Sequence, residues 1–246
     1  MWNTDQKPSL VFFGADEFAK IVLDALKKAN FNIVDGPSAD LAVVASYGKI
    51  LPKKILEQFR YGILNIHPSL LPKYRGPSPI RTAIANGDAE TGVTIIKLNE
   101  KMDEGPILVK SKYQISNDKK HSELRDELAR LGAELLVKII PDYIAGNIEV
   151  KPQCDADATY TKLITRADGK IDLHDDANQI YNKFRAYEGW PGIFTYQKSN
   201  LKNKNLRVKI LDCRLENGKL KILTLQPEGK KPMGMLDYIN GYGNPN

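Results

Sequence analysis

The chain has 246 residues, 42% of them hydrophobic, and a net charge of +6, which suits one large domain or a medium domain with a small appendage. No apolar stretch is long enough to cross a bilayer, and residues 1–7 lack the basic and apolar layout of a signal peptide. The two cysteines, Cys154 and Cys213, have no metal-type spacing, so we expect a cytoplasmic protein without disulfides or a metal ion.

Residues 1–150 alternate predicted strands and helices. Short apolar runs predict strands at residues 9–14, 41–45, 62–67, 93–96 and 107–115. Helical spacing predicts helices after the first strand, around residues 55–56, over residues 79–86, and from Ser122 as an N-cap to a residue before Pro141. The apolar face of this last helix would contain Leu124, Leu128, Leu131, Leu135 and Ile139. The order favours the α/β class with a Rossmann-like, mostly parallel sheet.

The pattern changes after residue 150. Residues 151–172 show little apolar periodicity and indicate a linker, and residues 178–186 predict a short helix. Short predicted strands at residues 193–197, 207–215 and 219–225, with a turn at 216–218, favour a small β domain, a partial OB-like barrel. We place the sheet domain at residues 1–153, the linker at 154–172 and the small domain at 173–246.

Residues 198–231 carry most of the positive charge. This segment holds ten Lys or Arg against three Asp or Glu, a net charge of +7, which leaves −1 for the remainder of the chain. Such an asymmetry indicates an anionic partner, with nucleic acid as the first candidate. A solvated, Lys-rich surface would give the same count, so the charge alone favours RNA only modestly.

Asn65 and His67 form the first candidate catalytic pair. They are two residues apart on a predicted strand, so both side chains leave the same face, and Pro68 ends that strand. Open α/β sheets bind their ligands at this carboxyl end. An amide and an imidazole presented there can stabilise an oxygen that becomes negative in a transition state. For the pair considered alone, a polar strand end bonded to neighbouring backbone is the alternative.

A longer series of motifs surrounds this pair. It contains Ser-Leu-Leu-Pro at residues 69–72, Tyr-Arg-Gly at 74–76, Gly-Asp-Ala-Glu-Thr-Gly-Val-Thr at 87–94 and Asp-Glu-Gly-Pro at 103–106. In this order the motifs closely resemble the formyltransferase family that uses 10-formyltetrahydrofolate, and the match runs from residue 47 to residue 108. The resemblance implies the formyltransferase fold and a folate co-substrate, with no metal ion.

The resemblance further implies that Asn65, His67 and Asp103 are the catalytic residues. A substrate amine would attack the formyl carbon while Asn65 and His67 stabilise the tetrahedral oxyanion. Asp103 would orient or charge His67 and help to move the proton from the attacking nitrogen to the folate N10 leaving group. An aminoacyl α-amine suits this reaction, because its pKa of roughly 7.7–8.0 leaves it partly neutral in the cytosol.

Two loops are implied to contact the folate. The residues are Ser69, Leu70, Leu71 and Pro72 in one loop and Tyr47, Gly48 and Ile50 in the other. Apolar walls and backbone hydrogen bonds suit a flat pterin ring. Plain core packing is the competing explanation for each apolar residue.

The region after residue 150 indicates a branch of the family. Motifs at residues 160–163, 170–172, 185–187, 190–192 and 225–233 resemble the enzymes that formylate methionyl-tRNA, in which the C-terminal domain contacts tRNA. The resemblance thus implies a charged initiator tRNA as the partner, in agreement with the +7 segment. We assign Arg75, Lys230 and Lys231 to substrate binding, and we expect a monomer.

The chain departs from the family pattern in two places, and two other functions stay open. Residues 29–40 replace a strand–helix–strand unit and a basic loop expected to grip the tRNA acceptor stem, and the small domain is abbreviated after residue 213. A sugar-nucleotide formyltransferase would use the same folate donor on an amino sugar, but the basic segment argues against it. A remnant that binds RNA or folate without catalysis is the other alternative, and the intact trio argues against that.

Overall fold

A computed structural model describes residues 8–36, 38–49, 51–198 and 205–244 of the chain. The chain forms two compact units: Met1–Ile80, Ala89–Ile115 and Ser122–Lys162 belong to the first, and Arg81–Asp88, Ser116–His121 and Leu163–Asn246 to the second. The predicted linker is therefore divided between the units after residue 162, and the functional boundaries proposed from the sequence stay a prediction. The expected absence of a signal peptide concerns residues 1–7, which lie outside the described residues, as does Ile50.

A six-stranded sheet forms the centre of the first unit. Its strands are β1 (Ser9–Phe13), β2 (Asn32–Ile33), β3 (Leu41–Ala45), β4 (Ile63–His67), β5 (Glu90–Lys97) and β6 (Ile107–Gln114), in the order β2-β1-β3-β4-β5-β6. The pairs β1–β2, β1–β3 and β3–β4 are parallel, whereas β4–β5 and β5–β6 are antiparallel. The predicted α/β class with a Rossmann-like, mostly parallel sheet is confirmed.

Helices alternate with these strands along the chain. They are α1 (Glu17–Lys28), α2 (Lys53–Leu56), α3 (Pro79–Ala85) and α4 (His121–Ile144). Every residue of β3 and β4 is buried, as expected for strands with both faces covered. This explains the uninterrupted apolar run of β3, whereas β4 buries Asn65 and His67 among apolar residues. Asp16 starts α1 by accepting a hydrogen bond from the Ala19 N–H.

Helix α4 differs from its prediction in its bounds and its buried face. It begins at His121, and it continues through Pro141 to Ile144. Proline lacks an N–H and its ring crowds the carbonyl four residues earlier, but its own carbonyl still accepts a hydrogen bond from Ala145 N at 3.0 Å. The buried face is centred on Gly132, which lies so close to Ile66 of β4 that a Cβ would not fit. Leu131 and Leu135, predicted to be buried, are therefore only partly covered.

Besides most of α3, the described part of the second unit contains an antiparallel sheet and the helices α5 and α6. Its elements are α5 (Ala177–Ala186), β7 (Ile193–Lys198), β8 (Asn205–Glu216), β9 (Lys219–Pro227), β10 (Met233–Gly234) and α6 (Met235–Tyr242), with the strands in the order β10-β9-β8-β7. Asn217 and Gly218 join β8 to β9 with φ of 52° and 74°, as a two-residue hairpin turn requires. The small β domain is confirmed as this sheet, whereas β10 and α6 were not predicted.

The segment predicted as a linker is largely held by hydrogen bonds. Lys151 exchanges two backbone hydrogen bonds with Ile107, at 2.7 and 2.9 Å, and Tyr160 forms a bridge with Arg75. Short 3₁₀ helices occupy Asp155–Asp157 and Arg166–Gly169. Such contacts leave no apolar periodicity in a sequence, which is why the prediction missed them.

The described part of the chain contains no helix that is long and apolar enough to span a membrane. Nor do its described residues bring together three His, Cys, Asp or Glu side chains that could hold a metal ion.

We expect the two cysteines to differ in reactivity. Cys154 is exposed, whereas Cys213 is buried in β8, where burial raises its pKa to about 12. Because the thiolate is the species that reacts, iodoacetamide near neutral pH should modify Cys154 and spare Cys213. Peptide mass spectrometry measures both sites, and a Cys154→Ser variant should be labelled only in denaturant. Equal labelling of both cysteines in the native protein would contradict this placement of Cys213.

Candidate active site

Strand β4 positions Asn65 and His67. His67 is the last residue of the strand, and the two residues lie opposite Ile96 and Thr94 of β5. Both are buried, with 8% and 4% of their surface exposed. Among the described residues, no group forms a hydrogen bond with the side-chain amide of Asn65. Of the two polar side chains, that of Asn65 is therefore the one without a hydrogen bond to the described residues.

His67 is held between two segments of the chain. Its Nε2 donates a hydrogen bond to the carbonyl oxygen of Tyr74 at 2.9 Å. Its Nδ1 lies 3.6 Å from Oδ1 of Asp103. The structure thus brings together the imidazole and the carboxylate of the predicted trio.

Asp103 reaches His67 because the loop between β5 and β6 folds back along the sheet. The residue has a left-handed backbone with φ of 55°, a conformation that Asp tolerates better than most residues. Its second oxygen, Oδ2, accepts a hydrogen bond from the N–H of Gly76 at 2.8 Å. Gly76 has φ of 109° and lies against Thr161, where a Cβ would be 2.8 Å from the Thr161 carbonyl oxygen. Only glycine fits this position without a shift.

Arg75 lies between these contacts, and its side chain is fully buried. Its guanidinium donates to Oε1 of Gln153 from Nε at 3.1 Å and from Nη2 at 3.0 Å, to Tyr160 Oη at 3.1 Å and to Asp155 at 2.7 Å. Burial alone would lower the pKa of Arg75, but the bonds to Asp155 and Tyr160 outweigh it and raise the pKa. A guanidinium so enclosed has no donor directed at solvent, so this geometry does not support our assignment of Arg75 to substrate binding.

Gln153 is a residue of this site that the sequence did not indicate. Its Nε2 donates to the carbonyl oxygens of Asp103 at 2.7 Å and Gly105 at 2.8 Å. Gln153 stands at the end of the predicted sheet domain, beside the predicted linker, and no motif that we identified includes it. Only the folded chain shows that it joins Arg75 to the Asp103 loop.

The loop at residues 69–72 is fixed by β5 and by its own hydrogen bonds. Ser69 and Leu71 are fully buried. Thr94 Oγ1 donates to the carbonyl oxygen of Ser69 at 2.7 Å and accepts from the N–H of Leu71 at 3.1 Å. Leu71 packs in a core cluster with Ile96 and Ile107, so core packing accounts for it. Leu70 is partly buried and lies against Gly92, and Pro72 is also partly exposed.

The other predicted folate loop follows β3. Tyr47 is half-buried, and its ring packs against Phe13 with centroids 5.5 Å apart. Gly48 is exposed with φ of 70°. A folate contact by either residue stays a prediction, and Ile50 lies outside the described residues.

Lys230 and Lys231 belong to the second unit and are both exposed. They follow β9, where the N–H of Lys230 closes a turn on the Pro227 carbonyl oxygen at 3.0 Å. Two further cations of the basic segment, at positions 202 and 204, lie outside the described residues.

One face of the second sheet carries an aromatic and basic surface that the sequence did not indicate. Tyr196 is 48% exposed, lies opposite Arg207 and has the Lys170 ammonium 5.9 Å from its ring centroid. The Arg207 guanidinium covers Phe194 at 3.9 Å, and Phe194 lies opposite Lys209. We call Lys170, Phe194, Tyr196, Arg207 and Lys209 the aromatic–basic face.

Comparison with known proteins shows which family this chain belongs to. Residues 8–140 match the model described as formyl transferase, and residues 163–220 match the model described as formyl transferase, C-terminal domain. The chain belongs to the formyl transferase family. It is 42% identical to a methionyl-tRNA formyltransferase from Roseiflexus sp. (strain RS-1) over 220 residues, which cover 82% of this chain and 68% of that relative.

Two solved structures share the fold of this formyl transferase. Methionyl-tRNA formyltransferase from Clostridium thermocellum has a TM-score of 0.66 at 19% identity, covering 90% of this chain and 99% of its own. HypX from Aquifex aeolicus in complex with tetrahydrofolic acid has a TM-score of 0.71 at 15% identity, covering 97% of this chain and 48% of its own. Both therefore confirm the formyltransferase fold predicted from the motifs.

Thr94→Val should destabilise the loop at residues 69–72. Valine keeps the shape of threonine but leaves the Ser69 carbonyl and the Leu71 N–H without this partner, at a cost of about 1–3 kcal/mol for each buried group. Urea unfolding should show the loss, whereas Thr224→Val, at a half-exposed position of β9, should change stability by less than about 0.5 kcal/mol. Equal stability of the two variants would count against Thr94 as the residue that fixes this loop.

Proposed function

We infer that this protein transfers the formyl group of 10-formyltetrahydrofolate to the α-amine of methionyl-tRNA, the modification of the initiator tRNA that serves translation initiation. The observation that carries this function is the buried pairing of His67 with Asp103 beside Asn65, in a chain 35–42% identical to several proteins named methionyl-tRNA formyltransferase. We also propose a cytoplasmic location and a monomer.

The first step requires a donor for the oxygen of the formyl group as it becomes negative. The Asn65 amide, which has no partner among the described residues, supplies an N–H for this purpose. His67 Nε2 is bonded to the Tyr74 carbonyl, so the formyl oxygen would have to replace that carbonyl as its acceptor. Catalytic hydrogen bonds commonly tighten only when the substrate binds. We therefore propose Asn65 as the first donor and His67 as the second.

Proton transfer is the second requirement, because the attacking ammonium-like nitrogen must lose a proton and folate N10 must gain one. Asp103 faces His67 Nδ1 at 3.6 Å and is itself fixed by Gly76 N at 2.8 Å. A carboxylate in this place orients the ring, and it can accept the proton that leaves the attacking nitrogen and return it to N10 as the bond between the formyl carbon and N10 breaks. No metal ion is needed for this step.

The charged and aromatic residues of the second unit support a nucleic acid as the acceptor of the formyl group. Lys230 and Lys231 can contact phosphates, and the aromatic–basic face offers the Tyr196 ring beside cations. An amino sugar linked to a nucleotide needs no such extended basic surface. The sugar-nucleotide alternative is accordingly not favoured, and the folded trio gives no support to a non-catalytic remnant.

His67→Ala should abolish formyl transfer and spare folate binding. Loss of a general acid–base group costs about 10²–10⁴-fold in rate, and the polar partners of the ring in the described site are Tyr74 and Asp103. The assay offers 10-formyltetrahydrofolate with charged initiator tRNA and, in parallel, with an amino-sugar nucleotide. Exposed His174, paired with Asp172, provides the control His174→Ala, which should keep wild-type activity. Near-normal activity of His67→Ala would remove His67 from the trio, and product on the sugar alone would overturn the tRNA assignment.

Replacement of Lys230 and Lys231 by Glu should raise the KM for charged tRNA and leave the KM for folate unchanged. For every phosphate that a lysine no longer neutralises, the slope of log affinity against log salt should flatten by about one. Lys27→Glu with Lys28→Glu is the matched control, because these adjacent, exposed lysines end helix α1 and undergo the same charge change. An identical effect in both double variants would show a general charge effect rather than a tRNA site at residues 230–231.

A further inference from the structure

We propose that Gln153 is a positioning residue for formyl transfer: its side-chain amide fixes the backbone of Asp103 and so holds the carboxylate against His67. The proposal rests on the proposed function, because it concerns the same site. Gln153 forms no hydrogen bond with the His67 ring or with the Asp103 carboxylate. Its effect on the reaction would act entirely through the position of Asp103.

The first observation is the way in which Gln153 grips the Asp103 loop. A primary amide has two N–H donors, and Nε2 of Gln153 is bonded to the carbonyl oxygens of Asp103 and Gly105, at 2.7 and 2.8 Å. The two acceptors lie on either side of Glu104. Asp103 is thus held at its backbone by Gln153 and at its carboxylate by the N–H of Gly76. Two separate attachments fix both the place and the direction of the side chain.

The second observation is the anchor at the other end of the amide. Oε1 of Gln153 accepts two hydrogen bonds from Arg75, whose side chain is fully buried. Arg75 is the middle residue of the turn that bonds His67 through Tyr74 and Asp103 through Gly76. Together with the 3.6 Å contact between His67 Nδ1 and Asp103 Oδ1, these hydrogen bonds close a ring, which passes through His67, Tyr74, Arg75, Gln153 and Asp103. Gln153 is the member of this ring that joins the turn to the loop by its side chain alone.

The third observation is the backbone of Asp103. Its φ of 55° is a left-handed conformation, which costs a non-glycine residue free energy unless its surroundings hold it. Without the two donors of Gln153, the hydrogen bonds that maintain this conformation on the carbonyl side of Asp103 would be missing. A displacement of about 1 Å at a catalytic group is enough to reduce a rate by about 10²-fold.

Two substitutions distinguish the roles of the N–H donors and of the oxygen acceptor of the Gln153 amide. Gln153→Glu keeps an acceptor for Arg75 but removes both donors and turns an oxygen toward the two carbonyls, whereas Gln153→Met removes both ends at similar volume. We expect both variants to lower kcat by about 10–100-fold and to leave the KM values for folate and charged tRNA within about twofold of wild type. Gln114→Met is the control, because it removes a hydrogen bond that an exposed glutamine amide donates to Glu90 at 3.0 Å, and it should keep the wild-type kcat.

A wild-type kcat for Gln153→Glu would overturn the proposal, because it would show that the anchor on Arg75 is the interaction that matters. Loss of folate binding and of thermal stability in both variants would also overturn it, by making Gln153 a residue of the fold alone. The expected result is a reduced kcat with retained folate binding in a protein that still folds, with a melting temperature lowered only by the loss of these hydrogen bonds.

A spectroscopic measurement tests the same role of Gln153 without any substrate that accepts the formyl group. The protein has three histidines, so the ring nitrogen resonances of His67 can be assigned by their loss in His67→Ala. In the ligand-free protein, Gln153→Met should move the His67 resonances and leave those of His121 and His174 unchanged. Unchanged His67 resonances would overturn the positioning role. A wild-type enzyme that fails to formylate tRNA would instead refute the proposed function, while the His67 spectrum would still decide the role of Gln153.

Discussion

The turn at residues 74–76 determines the geometry of the candidate active site, because its backbone contacts both His67 and Asp103. Its first residue offers a carbonyl to His67 and its last residue offers an N–H to Asp103. Tyr74 and Gly76 have φ of 64° and 109°, and this local reversal lets consecutive peptide groups point at one place. Such backbone is unfavourable for Tyr74, whereas glycine adopts it readily. Arg75 is the buried residue between Tyr74 and Gly76, and its hydrogen bonds offset that cost.

The change from parallel to antiparallel pairing at β4 organises the remainder of the site. Because β5 runs back along β4, Thr94 lies opposite His67 and bonds both Ser69 and Leu71. One strand therefore fixes the loop that follows β4. The same reversal sends the chain into the loop that carries Asp103.

The sequence predicted what depends on local pattern. Apolar runs located β1, β3 and β4 because strands covered by packing are mostly apolar, and the spacing of Asn65 and His67 placed both on one face. The partner of His67 came only from family resemblance, since no periodicity relates residues 67 and 103. Burial of Arg75 was missed because a charged side chain is buried only when distant segments supply partners, and those lie at residues 153–160. The buried face of α4 differs from the prediction because the helix approaches β4 most closely at Gly132. An apolar pattern does not mark a glycine as the centre of a buried face.

Net charge overstates the cations that the second unit can offer to a polyanion. Arg214 and Lys221 lie directly opposite each other, and both are paired with Glu216, at 2.5 and 3.1 Å. The hydrogen bond from Lys221, together with these charges, lowers the pKa of Glu216. Lys209, Lys230 and Lys231 form no ion pair among the described residues, so a phosphate could approach them without displacing a carboxylate. Affinity for a polyanion follows the number of phosphates neutralised. Recognition by so small a basic unit should therefore depend on these unpaired lysines more than on the +7 of the whole segment.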